Sequence, residues 1–267
     1  MQYTKNDHTF VVCAYKESEY LERSIQSVLK QTVQSKVILS TSTPNEYITG
    51  IAQKYQLPVF VNTGRASIAD DWNFGYAQAD TELITLCHQD DIYLPEYLET
   101  ALEELNRTEH PLIFFTDYFE IRNGKFEHDN KLLKIKRLML LPLRARTFFT
   151  SRFVRRRILS FGCCICCPSV TFVKKNLPNP VFRYGMKSNL DWQAWETLSK
   201  ERGAFVYCKK PLMGHRIHED STTSEIIGDS ARRVEDLEMF ERFWPKGIAK
   251  VLSNLYASSE KSNRITK

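Results

Sequence analysis

The sequence lacks the glycine-rich loops and long apolar runs that define several large protein classes. It contains neither a Gly-x-Gly-x-x-Gly turn nor a Gly-x-x-x-x-Gly-Lys loop, so neither a dinucleotide-binding turn nor a P-loop is indicated. The longest uncharged stretch, Ile158 to Val173, is 16 residues long and is interrupted by Gly162 and Pro168. A helix that spans a bilayer needs about 20 apolar residues, so this stretch does not predict one.

The seven cysteines lack the spacing of a zinc site. Structural zinc sites combine Cys-x-x-Cys pairs from separate loops, whereas residues 163–167 have the sequence CCICC. Its alternation predicts a strand with small buried thiols, and metal binding by the cluster is the alternative. No N-terminal signal peptide is visible, because Lys5, Asp7 and His8 precede any apolar run. We therefore expect a cytoplasmic protein with reduced cysteines.

Positive charge is concentrated in one segment of the chain. Residues 125–157 contain eleven Lys or Arg and two acids, a net charge of +9, whereas the whole chain carries +5. Leucines are interleaved with the basic residues, a pattern typical of an interfacial helix on anionic lipid. A solvated helical face packed on a sheet is the alternative. The segment lacks the aromatic and basic platform of nucleic-acid-binding proteins, so no nucleic-acid partner is expected.

The first half of the chain alternates apolar runs with helical patterns. The predicted strands cover residues 10–14, 37–39, 59–61, 83–87 and 112–115. Helical spacing of apolar residues follows Ser18, Thr43, Ser67 and Pro95. Thr43 is predicted to cap the second helix, with Pro44 at its first position and Glu46 closing a capping box. The repeated β-α units predict an α/β protein with a mostly parallel sheet and helices on both faces.

The pattern changes in the second half. Residues 116–160 interrupt the alternation, and CCICCPSVTFV at 163–173 predicts a strand. A helix is predicted around Asp191, because Trp192, Trp195 and Leu198 give it an apolar face. The remaining predicted elements are a strand at 205–208, amphipathic helices at 235–244 and 248–256, and a polar tail after Ser258.

Two adjacent carboxylates carry the strongest chemical signal. Asp90 and Asp91 directly follow the fourth apolar run, and ligands of open α/β sheets bind beyond the carboxyl ends of the strands. Neighbouring carboxylates repel each other unless a positive group lies between them and a ligand. The pair therefore favours a divalent cation that bridges to phosphate oxygens, with a solvated Asp-Asp turn as the alternative.

The order of several motifs resembles one enzyme family. The acidic pair with Tyr93 and Pro95, together with the N-terminal segment VVCAYKESEYLERSIQSVLKQT, is similar to nucleotide-sugar-dependent glycosyltransferases of family 2, which have the GT-A fold. Further matches at SNLDWQAWETL and HRIHEDSTT extend the resemblance over roughly residues 8–225. It implies a Rossmann-like sheet with a small C-terminal acceptor-side part.

The resemblance also implies how the chain is divided. We expect one domain over residues 1–267, with a nucleotide-binding half at 1–120. An acceptor-side half at 121–225 would contain the basic insertion 125–160, and C-terminal helices would follow at 226–267.

By the same resemblance, the acidic pair and a histidine hold the cofactor, Mn2+ or Mg2+. Asp91 is the residue on the metal, and Asp90 contacts the ribose or a metal-bound water. His218 matches a position on the loop that folds over the diphosphate, and neutral imidazole is a good manganese ligand. His88 stands where many members have another acid.

The nucleotide-sugar pocket is carried over from the same family. The residues implied to contact the donor, besides Asp90, are Ala14, Tyr15, Glu17, Thr41, Asn62 and Asn73. Thr41 lies in the segment where the family usually has an acid that binds the uracil imide, and it offers only a hydroxyl. Trp72 stands in place of the family's arginine, and packing of its helix is the alternative role.

Asp191 matches the second acid of the family's Glu-Asp motif, in which Leu190 replaces the first. As a catalytic base it would accept the proton of the attacking hydroxyl, with inversion at the anomeric carbon. A simple helix N-cap is the alternative, and Asp70, Asp71 and Glu196 are the next candidates for the base.

The implied function is inverting, metal-dependent transfer from a nucleoside-diphosphate sugar, with a UDP-sugar expected, to a glycan or lipid-linked acceptor. Bacterial surface polysaccharide synthesis is the expected setting, with residues 125–157 on the inner face of the cell membrane. A catalytically silent GT-A-like module that binds a membrane or a partner is the alternative.

Overall fold

The computed structural model describes residues 2–65, 67–218 and 230–260. Its strands are β1 (His8–Ala14), β2 (Lys36–Thr41), β3 (Val59–Val61), β4 (Leu83–His88), β5 (Ile92–Tyr93), β6 (Pro111–Arg122), β7 (Lys125–Glu127), β8 (Val170–Val173) and β9 (Ala204–Ile217). Its α-helices are α1 (Leu21–Leu29), α2 (Glu46–Lys54), α3 (Ile68–Gln78), α4 (Tyr97–Asn106), α5 (Lys131–Met139), α6 (Arg152–Leu159), α7 (Leu190–Leu198), α8 (Ser230–Glu241) and α9 (Lys246–Glu260).

The strands form one mixed sheet in the order β3-β2-β1-β4-β8-β6-β9-β5, and β7 pairs with β6 at its side. The first four strands are parallel, as the β-α alternation predicts. β8 runs antiparallel to both β4 and β6, whereas β6 and β9 are parallel. The carboxyl ends of β1, β2 and β4 therefore lie at one edge, and β9 ends beside β5.

Burial explains why the apolar runs form central strands. Phe10, Val11 and Val12 are fully buried, because helices cover both faces of a parallel sheet. The helices bury one stripe each: in α1 these are Leu21, Ile25 and Val28, at the spacing expected of an amphipathic helix.

The start of the second helix differs from the prediction. α2 begins at Glu46, and its N-cap is Asn45, whose side chain accepts from the Ile48 N–H at 2.9 Å. The predicted cap Thr43 instead accepts a hydrogen bond from the Lys16 N–H across the sheet edge. The long-range bond therefore displaces the capping box predicted from the local sequence.

The strand predicted from Cys163 is wrong in its first part. β8 begins at Val170, and the cysteine cluster lies in a loop that ends in a 3-10 turn, Cys167–Ser169. The indole N–H of Trp195 donates to the Ile165 carbonyl at 3.2 Å, and Pro168 has no N–H for a ladder. The loop backbone is therefore satisfied by side chains, and all seven thiols are free.

The basic segment forms helices α5 and α6, and part of its charge is used inside the protein. Arg155 is fully buried and donates to the carbonyls of Gly203 and Glu201 at 2.7 and 2.8 Å. Arg156 donates to the Glu196 carboxylate at 2.8 Å. The exposed basic residues are Lys125, Lys131, Lys134, Arg144, Arg146, Arg152 and Arg157. In the described part of the chain, no helix combines the length and apolarity that a membrane span needs.

The long pair β6 and β9 brings distant segments to the sheet edge. Gly214 of β9 packs under the ring of Phe119, which lies 2.6 Å from where a Cβ would stand. A larger residue would push the two strands apart, so glycine is required for this close approach.

Candidate active site

The acidic turn and the end of β9 meet at the carboxyl edge of the sheet. Asp91 is fully buried, and its Oδ1 accepts from the Arg216 N–H at 2.8 Å and from His215 Nδ1 at 3.0 Å. Burial opposes the charged imidazolium, but the Asp91 carboxylate outweighs it and raises the pKa of His215. No local sequence signal indicates His215, because only the pairing of β5 with β9 places it beside Asp91.

The second carboxylate oxygen of Asp91 fits a cation ligand. Among the described residues, Asp91 Oδ2 and His88 Nε2 are buried without a hydrogen-bond partner. One ligand atom each of His88, Asp90 and Asp91 can be chosen so that all lie within 4.8 Å of one another. An unsatisfied buried carboxylate oxygen is costly, and a hard divalent cation with oxygen and imidazole ligands would remove that cost.

Asp90 connects the cluster to the end of β9. Its Oδ2 lies 2.9 Å from His218 Nε2, and its carbonyl accepts from Arg216 Nε at 2.8 Å. Burial alone would raise the pKa of Asp90, but His218 and the other histidines outweigh it and lower that pKa. His218 therefore lies beside the acidic turn, where it contacts Asp90. Its role as a metal ligand stays a prediction.

An aromatic wall flanks the acidic cluster. The Trp72 ring stacks on the His88 imidazole at 5.1 Å, and Phe182 packs edge-on against it at 4.9 Å. Asn73 holds the same segment, because its side chain bonds both the carbonyl and the N–H of Phe182 at 2.7 and 3.1 Å. Trp72 therefore flanks the candidate site as well as packing its helix.

Several residues that the family resemblance implies for nucleotide binding lie around the ends of β1, β2 and β3. Ala14 is buried, whereas Tyr15 is 49% exposed and Glu17 is exposed. The amide of Gln89, a residue without a local sequence signal, bonds both the N–H and the carbonyl of Tyr15 at 2.9 and 3.0 Å. This ties the Tyr15 backbone directly to the acidic turn.

Thr41 and Asn62 make internal hydrogen bonds at the same edge. Thr41 accepts from the Thr43 N–H at 3.0 Å, and Asn62 donates to Asp71 at 2.8 Å. Asp71 also accepts from the Ser42 hydroxyl at 2.8 Å. These bonds shape the loops after β2 and β3, and contacts of Thr41 and Asn62 to a nucleotide stay predictions.

Asp191 is the second residue of α7, and the N-cap is Asn189. The alternative of a simple N-cap is therefore wrong for Asp191. Its Oδ1 accepts from the Trp192 N–H at 2.7 Å, and its Oδ2 accepts from the Cys163 thiol at 3.3 Å. Of the other acids, Glu196 is buried and paired with Arg156 and Lys200.

Charges from both acidic parts of the site act on the Cys166 thiol. Burial raises the pKa of this thiol, the ammonium of Lys136 lowers it, and the negative charges of Asp91 and Asp191 raise it further. The half-buried Cys166 is therefore within electrostatic range of the candidate metal ligand and of the candidate base.

A carboxylate on α8 holds the start of α7. Glu235 accepts from the backbone N–H groups of Lys187, Ser188 and Asn189 at 2.7, 2.8 and 3.1 Å. The neighbouring Asp236 accepts from the Asn189 side chain at 2.8 Å. These bonds fix the segment that leads into Asp191, and no local sequence signal indicates them.

Comparison with known proteins identifies the chain. A family model described as glycosyl transferase family 2 matches residues 9–176, more than half of the sequence. The chain belongs to glycosyl transferase family 2. This family 2 glycosyltransferase has its acidic turn inside the matched region, whereas Asp191 and His218 lie beyond it. A search of curated proteins gave no significant match.

Solved structures confirm the GT-A fold of this family 2 glycosyltransferase. TarS residues 1–349 from S. aureus, in complex with UDP-GlcNAc, has a TM-score of 0.60 and 15% identity, over 96% of this chain and 73% of that one. Glucosyl-3-phosphoglycerate synthase from Mycobacterium tuberculosis, with Mn2+ and UDP-glucose, has a TM-score of 0.55 and 16% identity, over 89% and 79%.

The Glu235 contacts give a stability prediction. We expect Glu235→Gln to lower the free energy of unfolding by about 1–3 kcal/mol, because an amide oxygen accepts fewer bonds than a carboxylate. Burial alone would raise the pKa of Glu235, but hydrogen bonds from Ser188 and the backbone outweigh it and lower that pKa. The contribution is thus present above the unfolded-state pKa and is lost as the pH falls through the folded-state pKa.

Urea unfolding of the two proteins at pH 7 and at decreasing pH measures this. The difference in the free energy of unfolding between the unmodified protein and Glu235→Gln should become smaller as the pH falls. The control variant Glu238→Gln, on the exposed side of the same helix, should have little effect. A difference in the free energy of unfolding that does not change with pH would contradict the role of the Glu235 carboxylate.

Proposed function

We propose that this glycosyltransferase moves a sugar from a nucleoside-diphosphate sugar, a UDP-sugar by preference, to a hydroxyl of a glycan or lipid-linked acceptor. The reaction is metal-dependent and inverts the anomeric centre. The observation that carries the proposal is the buried Asp91 oxygen that has no hydrogen-bond partner among the described residues and lies 3.7 Å from His88 Nδ1, beyond a parallel strand in a chain of family 2.

The leaving diphosphate needs positive charge, and a divalent cation supplies it when bound. Asp91, Asp90 and His88 would hold Mn2+ or Mg2+, and His218, the residue directly after β9, would complete the set of ligands. Arg216 adds a fixed positive charge, because its guanidinium bonds the Asp90 carbonyl and lies 4.3 Å from the Tyr20 ring.

The donor pocket is proposed at the ends of β1 to β3. The exposed ring of Tyr15 offers a face for a base, with Ala14 and Glu17 beside it and Asn62 and Asn73 at the rim. UDP-sugars appear in the structures of TarS and of glucosyl-3-phosphoglycerate synthase, which supports uridine as the nucleoside. The Thr41 hydroxyl would replace the acid that usually reads the uracil.

Asp191 is proposed as the base. Its Oδ2 accepts a hydrogen bond from the Cys163 thiol, which is a weak donor that an acceptor hydroxyl can replace. Attack from the side opposite the nucleotide then inverts the anomeric carbon. The Glu235 contacts hold the helix start that carries this carboxylate.

The exposed part of residues 125–157 is proposed to contact anionic lipid on the inner face of the cell membrane. Leu138 is 69% exposed on α5 and Phe153 is 71% exposed on α6, each within a turn of exposed Lys or Arg. Apolar side chains among cations are suited to the headgroup region. Such a position would suit a lipid-linked acceptor in bacterial surface polysaccharide synthesis.

The metal proposal predicts that UDP binds only with a divalent cation. Calorimetry with Mn2+, with Mg2+ and with EDTA should show binding in the first two conditions alone. Asp91→Asn should weaken binding with Mn2+ by at least about tenfold, because a carboxylate ligand is lost. The Asn Oδ1 can still accept from the Arg216 N–H, so the fold should survive. Asp80→Asn, a change in an exposed acid paired with Lys36, is the matched control. Equal affinity in EDTA would refute the proposal.

The base proposal predicts that Asp191→Asn folds and binds donor normally but turns over slowly. Loss of a general base lowers the rate by a factor of about 10²–10⁴. Melting temperature, UDP affinity and donor turnover are measured on one preparation. Near-normal turnover would place the base elsewhere, with Asp70 and Asp71 as the next acids to change. An absence of turnover in the unmodified protein, with UDP still bound, would favour the silent module.

The membrane proposal predicts salt-dependent binding to anionic vesicles. The triple variant Lys131→Ser, Arg144→Ser and Arg152→Ser should lose most of the binding, since each basic residue near such a surface contributes about 1 kcal/mol. The control changes Lys5, Lys30 and Lys209 to Ser, which are exposed outside the segment. Arg155 is left intact, because it is buried. Equal binding to neutral and anionic vesicles would contradict the proposal.

A further inference from the structure

Lys136 on α5 is a half-buried cation without an acidic partner among the described residues. Its ammonium donates to the Tyr118 hydroxyl at 2.9 Å and lies 5.3 Å from the centre of the same ring. Its neighbours on the helix differ: Lys134 pairs with Asp129 at 3.2 Å and Arg137 pairs with Asp117 at 2.6 Å. The charge of Lys136 is therefore not used in an ion pair, unlike theirs.

The surroundings of Lys136 keep it charged. Burial opposes the ammonium form, but the phenol of Tyr118 and the nearby thiols outweigh burial and raise the pKa of Lys136. A half-buried ammonium without a counter-charge is unfavourable, so a ligand that supplies negative charge would be bound strongly there.

Contacts place the ammonium beside the proposed site. Tyr118 packs edge-on against His215 at 6.2 Å, and His215 bonds Asp91. Burial raises the pKa values of the Cys163 and Cys166 thiols, and the positive charge of Lys136 lowers them, while Cys163 donates to Asp191 at 3.3 Å. Lys136 is thus linked through Tyr118 and His215 to the candidate metal ligand Asp91, and its charge acts on the loop that bonds the candidate base.

We propose that Lys136 binds a phosphate or carboxylate group of the acceptor, so that the enzyme takes an anionic acceptor. This inference rests on the proposed function. A neutral sugar hydroxyl has no need of a cation, whereas an ammonium on a flexible stem matches phosphate as a point charge.

The donor diphosphate is the other source of phosphate oxygens near the site. The charge interactions favour the acceptor, because the thiols of Cys163 and Cys166, whose pKa values the charge of Lys136 lowers, belong to the loop that bonds Asp191. The proposed donor pocket lies instead beside Tyr15 and Gln89, which belong to other loops.

The test uses glycerol 3-phosphate as an anionic probe and glycerol as its neutral counterpart. Each is titrated by calorimetry into the whole protein saturated with UDP and Mn2+. We expect binding of glycerol 3-phosphate alone. Lys136→Met should weaken that binding by at least about tenfold, since the ion pair is lost, and Lys136→Arg should retain most of it. Lys134→Met is the control, because Lys134 is exposed and two residues away.

The affinity for UDP with Mn2+ is measured on every variant. Unchanged UDP affinity in Lys136→Met supports the acceptor as the source of the anion, whereas a loss as large as that for the probe assigns Lys136 to the donor diphosphate and overturns the inference. Equal probe binding by Lys136→Met and the unmodified protein, or no probe binding by either, also overturns it. Failure of the unmodified protein to bind UDP would instead refute the proposed function.

Discussion

The carboxylate of Asp91 is the constraint on which the site depends. One of its oxygens joins two segments that are 125 residues apart in the chain, the turn after β4 and the end of β9. The bond is formed in a fully buried position, where a backbone N–H and a carboxylate interact strongly. The other oxygen of Asp91 has no hydrogen-bond donor among the described residues. The carboxylate that holds the two segments together therefore also presents an oxygen that can bind a cation.

Glu235 shows the contrasting use of a carboxylate. It accepts from three backbone N–H groups and from the Ser188 hydroxyl. Both oxygens of this carboxylate are engaged by donors of the protein, so it acts as a structural link between α8 and α7. The two acids therefore differ in how completely the protein satisfies them, and that difference separates a structural role from a chemical one.

The sequence predicted those features that depend on neighbouring residues. Apolar periodicity placed β1 to β4 and the helices between them, and the acidic turn stood out because it interrupts an apolar run. Features that depend on distant contacts were missed: His215 and Glu235 gain their roles through strand pairing and helix packing. The same cause explains the errors at Thr43, which bonds Lys16, and at Cys163, whose loop accepts a hydrogen bond from the Trp195 indole.

The irregular pairing of β6 with β9 decides which way the end of β9 faces. Between Thr116 and Tyr118 β6 advances by two residues, while its partner advances by five, from Cys208 to Met213. β9 therefore has three more residues than β6 in this stretch, which is an odd number. Because side chains alternate between the two faces of a strand, the residues of β9 after this stretch face the side opposite to the one they would face in a regular ladder. Deleting a single residue at Lys209 or Lys210 would therefore turn His215 away from Asp91 while leaving every residue of the site in the sequence. A one-residue change in length at this irregularity of the pairing would disable the candidate site as effectively as the loss of the Asp91 carboxylate.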